Sequence, residues 1–194
     1  MGLVEVERKR ALTGPVDKVR RRLVELGYRE CSAVTEVDTY YSRPDVDFME
    51  TVECLRVRSR DGFAEITYKP ASSASTHSPD GVIAKRETNV VLSDTDQARQ
   101  AEQLLEAVGM VFLAQVEKFR TSFRNPAYPG LTVALDVVTG VGVFLETEII
   151  SDDGQGATTL LDEVEDQIGV ASCPVVSFPY RDLVLRSQQD AIRT

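Results

Sequence analysis

Gly2-Leu3-Val4-Glu5-Val6-Glu7-Arg8-Lys9-Arg10 is the stretch whose reading decides the fold. Glu5, Glu7 and Lys9 stand two residues apart, so on a β-strand all three side chains leave one face. Val4, Val6 and Arg8 take the other. A half-buried strand ordinarily turns its apolar residues inward and its charges toward water. Here the charged alternation returns on several later strands with complementary signs. Those faces read as the lining of one polar cavity.

Working outward, Glu53–Arg60 alternates Leu55 and Val57 with Arg56 and Arg58. The Asp61-Gly62 turn makes Phe63–Lys69 its hairpin partner, with Glu65, Thr67 and Lys69 on one face. Lys85, Glu87 and Asn89 share a face on the strand Val82–Leu92, and Lys118 and Arg120 share one on Val111–Arg124. Asp136 stands on Leu131–Val138. Across Thr139–Gly142, the strand Val143–Ile150 carries Glu146 and Glu148, repeating the spacing of Glu5 and Glu7. The set reads as one that takes up a metal-bound polyphosphate: a triphosphate carries about four negative charges near neutral pH. Arginine forks and lysine ammonium groups suit its oxygens, while hard divalent ions prefer carboxylates to imidazole or thiolate. Acids and bases around one cavity satisfy both requirements, and without cations so many close carboxylates would take up protons.

The remaining pattern predicts helices. Thr13 caps one, with Val16, Val19, Leu23 and Leu26 as its apolar stripe and Gly27 as its stop. Ser93 with Asp96 starts a second, burying Ala98, Ala101, Leu104, Leu105 and Val108. A third runs Ala157–Ile168, and Glu36–Tyr41 is a further strand. Twice a strand leads into a helix and then into hairpins, an α+β arrangement able to close into a barrel with a polar interior. One domain is expected over 1–187, with a frayed tail at 188–194.

The chain has 194 residues and a net charge of −9, with a pI of about 4.7, which argues against nucleic acid or an anionic membrane as partner. Cys31, Cys54 and Cys173 are odd in number and free of CxxC pairing, so they read as reduced, buried thiols of a cytoplasmic protein. No apolar run approaches the length of a membrane span. The single histidine, His77, falls in the polar, aperiodic loop 70–81 and is assigned no role.

Glu5-Val6-Glu7-Arg8-Lys9 resembles the ExExK signature of the CYTH family, which joins class IV adenylate cyclases, thiamine triphosphatases and bacterial tripolyphosphatases. Asp38-Thr39-Tyr40-Tyr41 resembles its D-x-Y-Y stretch, Leu55-Arg56-Val57-Arg58 its LRxR, and Lys69 its lone strand lysine. Lys118-Phe119-Arg120 resembles its KxR, Asp136 its late aspartate, and Phe144-Leu145-Glu146-Thr147-Glu148 its FxExE. The order is the family's order. Where the family often has R-x-E-x-E, this chain has Lys85-Arg86-Glu87-Thr88-Asn89. Ser177-Phe178-Pro179-Tyr180-Arg181-Asp182-Leu183 resembles the closing S-Y-x-x-L only loosely.

The resemblance implies an α+β fold: an eight-stranded antiparallel β-barrel, the triphosphate tunnel, with a polar interior and flanking helices. It implies phosphate binding by Arg56, Arg58, Lys69, Lys85, Lys118 and Arg120. It implies two divalent ions, Mg²⁺ or Mn²⁺, held by Glu5, Glu7, Asp136, Glu146 and Glu148, with Glu7, Asp136 and Glu148 as direct ligands. Lys9, with Tyr40 as partner, is expected to anchor phosphate or assist proton transfer. The expected activity is that of a class IV adenylate cyclase, converting ATP to cyclic AMP and pyrophosphate. The alternatives are hydrolysis of thiamine triphosphate or tripolyphosphate, and non-catalytic binding of nucleotide or polyphosphate. A homodimer is the default expectation.

Overall fold

A computed structural model describes residues 4–73, 76 and 81–193. His77 and half of the expected 70–81 loop lie outside the described residues. In chain order the elements are β1 (Val4–Ala11), α1 (Val16–Glu25), β2 (Arg29–Ser42), α2 (Phe48–Thr51), β3 (Cys54–Arg60), β4 (Phe63–Lys69) and β5 (Ile83–Lys85). They continue as β6 (Thr88–Leu92), α3 (Thr95–Ala107), β7 (Val111–Arg124), β8 (Leu131–Val138), β9 (Gly142–Ser151), α4 (Gly154–Ile168) and α5 (Tyr180–Arg193).

The nine strands form one curled sheet in the order β5-β1-β9-β8-β7-β2-β3-β4-β6, every neighbour antiparallel. Its two edges, β5 and β6, are separated in sequence only by Arg86 and Glu87. The single strand expected over Val82–Leu92 is therefore broken: its first half pairs with β1 and its second with β4. Strands of a closing sheet tilt and diverge, and a break lets each half follow its own neighbour. Taken as one interrupted wall, β5 and β6 make up the eighth side of the expected tunnel.

Alternation sorts each strand between the tunnel and the outside. On β1, Val6 packs outward with Leu145, Val133 and Leu135 beneath Leu161 and Val164 of α4. Arg8 shares that outward face and is buried beneath α4, where Nη1 donates to Asp162 (2.6 Å) and Glu165 (3.0 Å). Arg10 Nε donates to the same Glu165 (2.5 Å), and Thr147 Oγ1 donates to its other oxygen (2.6 Å). A buried carboxylate with three such donors avoids the penalty of an unpaired charge. On β3 and β4, Val57 and Ala64 pack against Ala98 and Ala101 of α3.

Toward one end the inner wall turns from ionic to apolar. Tyr40, Val116, Val138 and Phe144 lie two residues beyond Asp38, Lys118, Asp136 and Glu146 on the same faces, and Tyr180 and Val184 of α5 pack on them. Helix α5 thus plugs that end.

Local details depart from expectation. Thr13 does not cap α1, whose N-cap is Pro15 without a side-chain bond. The second capping motif shifts by one residue: Asp94 accepts from the Gln97 N–H (2.9 Å) and the Gln97 side chain accepts from the Ser93 N–H (3.0 Å). Leu104 and Val108 are exposed, because the small Ala98 and Ala101 hold α3 against the sheet and only a narrow stripe faces inward. Cys31 is exposed, and Cys54 and Cys173 are half-buried, so none of the thiols is fully enclosed as expected.

Candidate active site

The inner faces of the strands surround a cavity of about 190 Å³. Glu5, Glu7, Lys9, Tyr40, Arg56, Arg58, Lys69, Lys85, Lys118, Arg120, Glu146 and Glu148 all line it, arriving from β1, β2, β3, β4, β5, β7 and β9. Glu65, Glu87, Cys54 and Tyr180 line it as well. Asp136, expected among the ion-holding acids, shares the inner face but is fully buried beneath Arg120 and Tyr180 and does not line the cavity.

One side of the cavity is acidic. Antiparallel register sets Glu7 opposite Glu148 and Lys9 opposite Glu146. Glu5, Glu7 and Glu148 each place a carboxylate oxygen within 4.8 Å of the others. Lys69 reaches across from β4 to Glu5 (2.5 Å), Glu87 (2.7 Å) and Glu7 (3.7 Å). Burial, with the neighbouring carboxylates Glu7, Glu87 and Glu148 and against the pull of Lys69, pushes Glu5 up to about 8. Burial, with Glu146 and Glu7 beside it, also raises Glu148. Glu87 is held down at about 2, because Lys69 overcomes its burial. Three oxygen ligands converging under electrostatic strain fit a hard divalent cation.

This arrangement sets a pH dependence. Glu5 and Glu148 bind protons more tightly in the folded protein than unfolded, so the native state holds the extra protons as pH rises above the ordinary carboxylate range. The stability they contribute is complete below about pH 4.3 and is lost as pH climbs through about 8. Metal-free melts should therefore show falling stability over that window, and added Mg²⁺ should offset the decline. A metal-free profile rising across the window would contradict the acidic cluster.

The opposite side is organised by two acids to which the sequence reading gave no role. Asp38, wholly buried, accepts from Arg58 Nε (2.6 Å) and Nη2 (2.8 Å) and from Lys118 Nζ (2.9 Å), with Arg56 Nη1 at 3.6 Å. Glu36 lies 3.0 Å from Lys118 Nζ and 3.3 Å from Arg58 Nη1. Although burial opposes ionisation, Arg58 and Lys118 hold both carboxyls below their ordinary range. Burial lowers the Lys118 ammonium. The usable signal was the period-two run Glu36–Asp38–Tyr40, which an antiparallel partner bearing Lys118 and Arg120 would complete.

Between the two sides stands Arg120. Asp136 takes its guanidinium in a bidentate grip, Nε at 2.7 Å and Nη2 at 2.5 Å, and Glu146 accepts from the same Nη2. Tyr180 donates its hydroxyl to Asp136 Oδ2 at 2.8 Å. Both Asp136 oxygens are thereby occupied. Lys9 stands 3.4 Å from Glu146 and 4.1 Å above the Tyr180 ring. Tyr40 points its hydroxyl at Asp38 (3.4 Å), and burial together with that carboxylate pushes the phenol up. The Arg56 Nε is buried without a hydrogen-bond partner. Lys85 donates to the carbonyl of Val52 at 2.7 Å.

Fold and site together define a curled antiparallel β-tunnel with an ionic interior, plugged at one end by a helix. The family model for the CYTH domain matches residues 3–172, and the chain belongs to the CYTH family. CYTH proteins are in general metal-dependent. The chain is 27% identical over 162 residues to MJ0240 of Methanocaldococcus jannaschii, a candidate adenylate cyclase, covering 84% of this chain and 86% of that protein. The PH1012 protein of Pyrococcus horikoshii shares the fold with a TM-score of 0.76 at 22% identity, over 92% of this chain and 98% of its own. HpAC1 from Hippeastrum, a candidate adenylyl cyclase described as having a dominant triphosphatase activity, superposes with a TM-score of 0.62 at 17% identity over 90% of each chain. No helix among the described residues is long and apolar enough to cross a membrane.

Proposed function

We propose that this chain is a divalent-metal-dependent enzyme acting on a triphosphate held in the tunnel, and that its reaction is conversion of ATP to cyclic AMP and pyrophosphate. The observation that carries the reading is the meeting, in one cavity, of the Glu5–Glu7–Glu148 carboxylates with Arg56, Arg58, Lys118 and Arg120. The name of MJ0240 favours cyclisation. The activity described for HpAC1 supports the second reading, hydrolysis of a triphosphate such as thiamine triphosphate or tripolyphosphate.

In this reading Glu5, Glu7 and Glu148 hold Mg²⁺ or Mn²⁺. The chemistry such an ion supplies is neutralisation of phosphate oxygens and of charge developing on the leaving group. Arg56 offers its unpaired Nε to a phosphate oxygen, and Arg58 and Lys118, fixed from behind by Asp38, present preset donors. Asp136 acts here as a positioning residue instead of an ion ligand: it locks the Arg120 fork and the Tyr180 hydroxyl. A second ion would draw on Glu146 only after Arg120 and Lys9 exchange it for phosphate. Tyr40 remains protonated, so it serves as a donor and not as a proton acceptor. Lys9, facing the cavity beside Glu146, neutralises phosphate charge.

Incubation with ATP, thiamine triphosphate and inorganic tripolyphosphate, each with Mg²⁺ or Mn²⁺, tests this. Cyclic AMP is the expected product, and orthophosphate would establish the hydrolytic reading instead. Tight binding of tripolyphosphate without any product would overturn the enzyme assignment, and no binding would overturn the triphosphate tunnel.

A further inference from the structure

Val52 has a backbone conformation that its side chain disfavours. Its φ of 54° and ψ of 32° place it in the left-handed region, and it is the only described residue other than glycine with positive φ. A β-branched residue there is an outlier, held only where surrounding contacts over-determine it. Two features explain what holds it. Arg181, fully buried in the first turn of α5, donates Nη1 to the carbonyl of Glu53 (2.8 Å) and Nη2 to the carbonyl of Phe48 (3.0 Å). Its Nε is tied to Asp182 (2.8 Å), which fixes the guanidinium plane. The segment from Phe48 to Glu53 is thus clamped at both ends, and the strained residue lies between the clamps.

The second feature is what the strain presents. The Val52 carbonyl accepts from Lys85 Nζ at 2.7 Å, and both residues line the cavity. Arg56, Arg58, Lys69, Lys118, Arg120 and Lys9 each have a carboxylate within 4 Å. Lys85 has none among the described residues and depends on this main-chain oxygen. A carbonyl oxygen is an uncharged stand-in for a phosphate oxygen, and an ammonium exchanges the first for the second readily because the charged partner binds it more strongly.

We propose that Arg181 and Val52 are positioning residues of the site: through the strained carbonyl, they hold Lys85 at the cavity wall, where it exchanges that oxygen for one of a bound triphosphate. The proposal rests on the triphosphate reading and extends it to one residue of the plug helix and one just past α2, which act through Lys85. Clamp, strained carbonyl and lysine form a series, so Arg181 influences the anion only by way of Lys85.

A double-mutant cycle reads this directly. Inorganic tripolyphosphate binding is measured for the wild type, Lys85→Met, Arg181→Met and the double variant, with thermal melts to establish folding. Each single substitution is expected to weaken binding about tenfold, and the double variant to be no weaker than Lys85→Met alone. A merely structural arginine would give multiplied losses of about a hundredfold, which would overturn the proposal. Should Arg181→Met not fold, Arg181→Lys, whose single ammonium cannot bridge the carbonyls of Phe48 and Glu53 as the guanidinium fork does, replaces it in the cycle. It is expected to weaken binding by a few-fold in the native background and not at all beside Lys85→Met. Equal losses in both backgrounds would overturn the proposal. If the wild type does not bind tripolyphosphate, the triphosphate reading itself fails. Binding by the wild type with an additive cycle removes only the role given to Arg181 and Val52.

Discussion

Glu7→Gln lowers metal-dependent turnover by ~10²-fold or more, and at the same time raises the melting temperature of the metal-free protein. The first effect follows from replacing an anionic oxygen ligand by a neutral amide where three carboxylates converge; even indirect disturbance of metal ligands commonly costs ~10–100-fold. The second follows from the charges: Glu7 is one of the groups that push Glu5 up to about 8, so its removal relieves repulsion in a buried cluster. Lys69 loses the favourable charge of Glu7 but keeps its two shorter contacts, to Glu5 (2.5 Å) and Glu87 (2.7 Å). Glu5 and Glu148, both buried, are relieved together, so relief outweighs the lost attraction. Turnover of the best substrate and melts with and without Mg²⁺ measure both effects. A variant retaining half the native turnover, or melting lower without metal, would contradict the role given to Glu7.

Asp38→Asn acts in the opposite direction on stability. Asp38 is wholly buried and compensates Arg58 and Lys118 at hydrogen-bond distance. Removing one partner of a buried ion cluster strands the others, at a cost of about 3–5 kcal/mol. At about 2–4 °C per kcal/mol for a chain of this size, the melting temperature falls by on the order of 10 °C. The surface pair Arg43–Asp45, shorter at 2.5 Å but exposed and screened by water, contributes little and serves as the control. The Asp38 carboxyl lies well below its ordinary range, so its stabilisation is present above about pH 4 and disappears as pH falls through the depressed value. Tripolyphosphate should restore part of the lost stability, because an anion in the cavity compensates the stranded cations. A melt unchanged by the substitution would show that Glu36 alone suffices for Arg58 and Lys118.

Tight-turn chemistry and strand alternation predict the outcome in detail, whereas the helix caps expected at Thr13 and Ser93 form elsewhere. The Asp61-Gly62 turn set the β3–β4 hairpin, and Phe63–Lys69 has the bounds expected of it. Period-two alternation placed Glu5, Glu7 and Lys9 together on the tunnel face, and the same rule put Arg56 and Arg58 there. What escaped the reading depends on pairing between distant segments. The break at residues 86–87 arises from two different neighbours, β1 and β4, and no local signal announces it. Helix α5 is polar along much of its length and carries a proline just before it, so its apolar stripe through Tyr180 and Val184 becomes meaningful only against the inner wall it plugs. Alternation told which face Asp136 shares but not its depth; its oxygens are taken by Arg120 and Tyr180, a residue in a different part of the sequence. Arg8 posed the converse problem. Its place on the apolar face of β1 made sense once Glu165 and Asp162 of α4 met it there.

The central claim is that ionic side chains from separate strands act together on one ligand inside the tunnel. Crystals grown with Mn²⁺ and inorganic tripolyphosphate, measured at the manganese absorption edge, test it most directly. The account predicts an anomalous peak among the carboxylates of Glu5, Glu7 and Glu148, with phosphate density against Arg56, Arg58 and Lys118. Manganese bound on the outer surface, with the cavity free of phosphate, would contradict it.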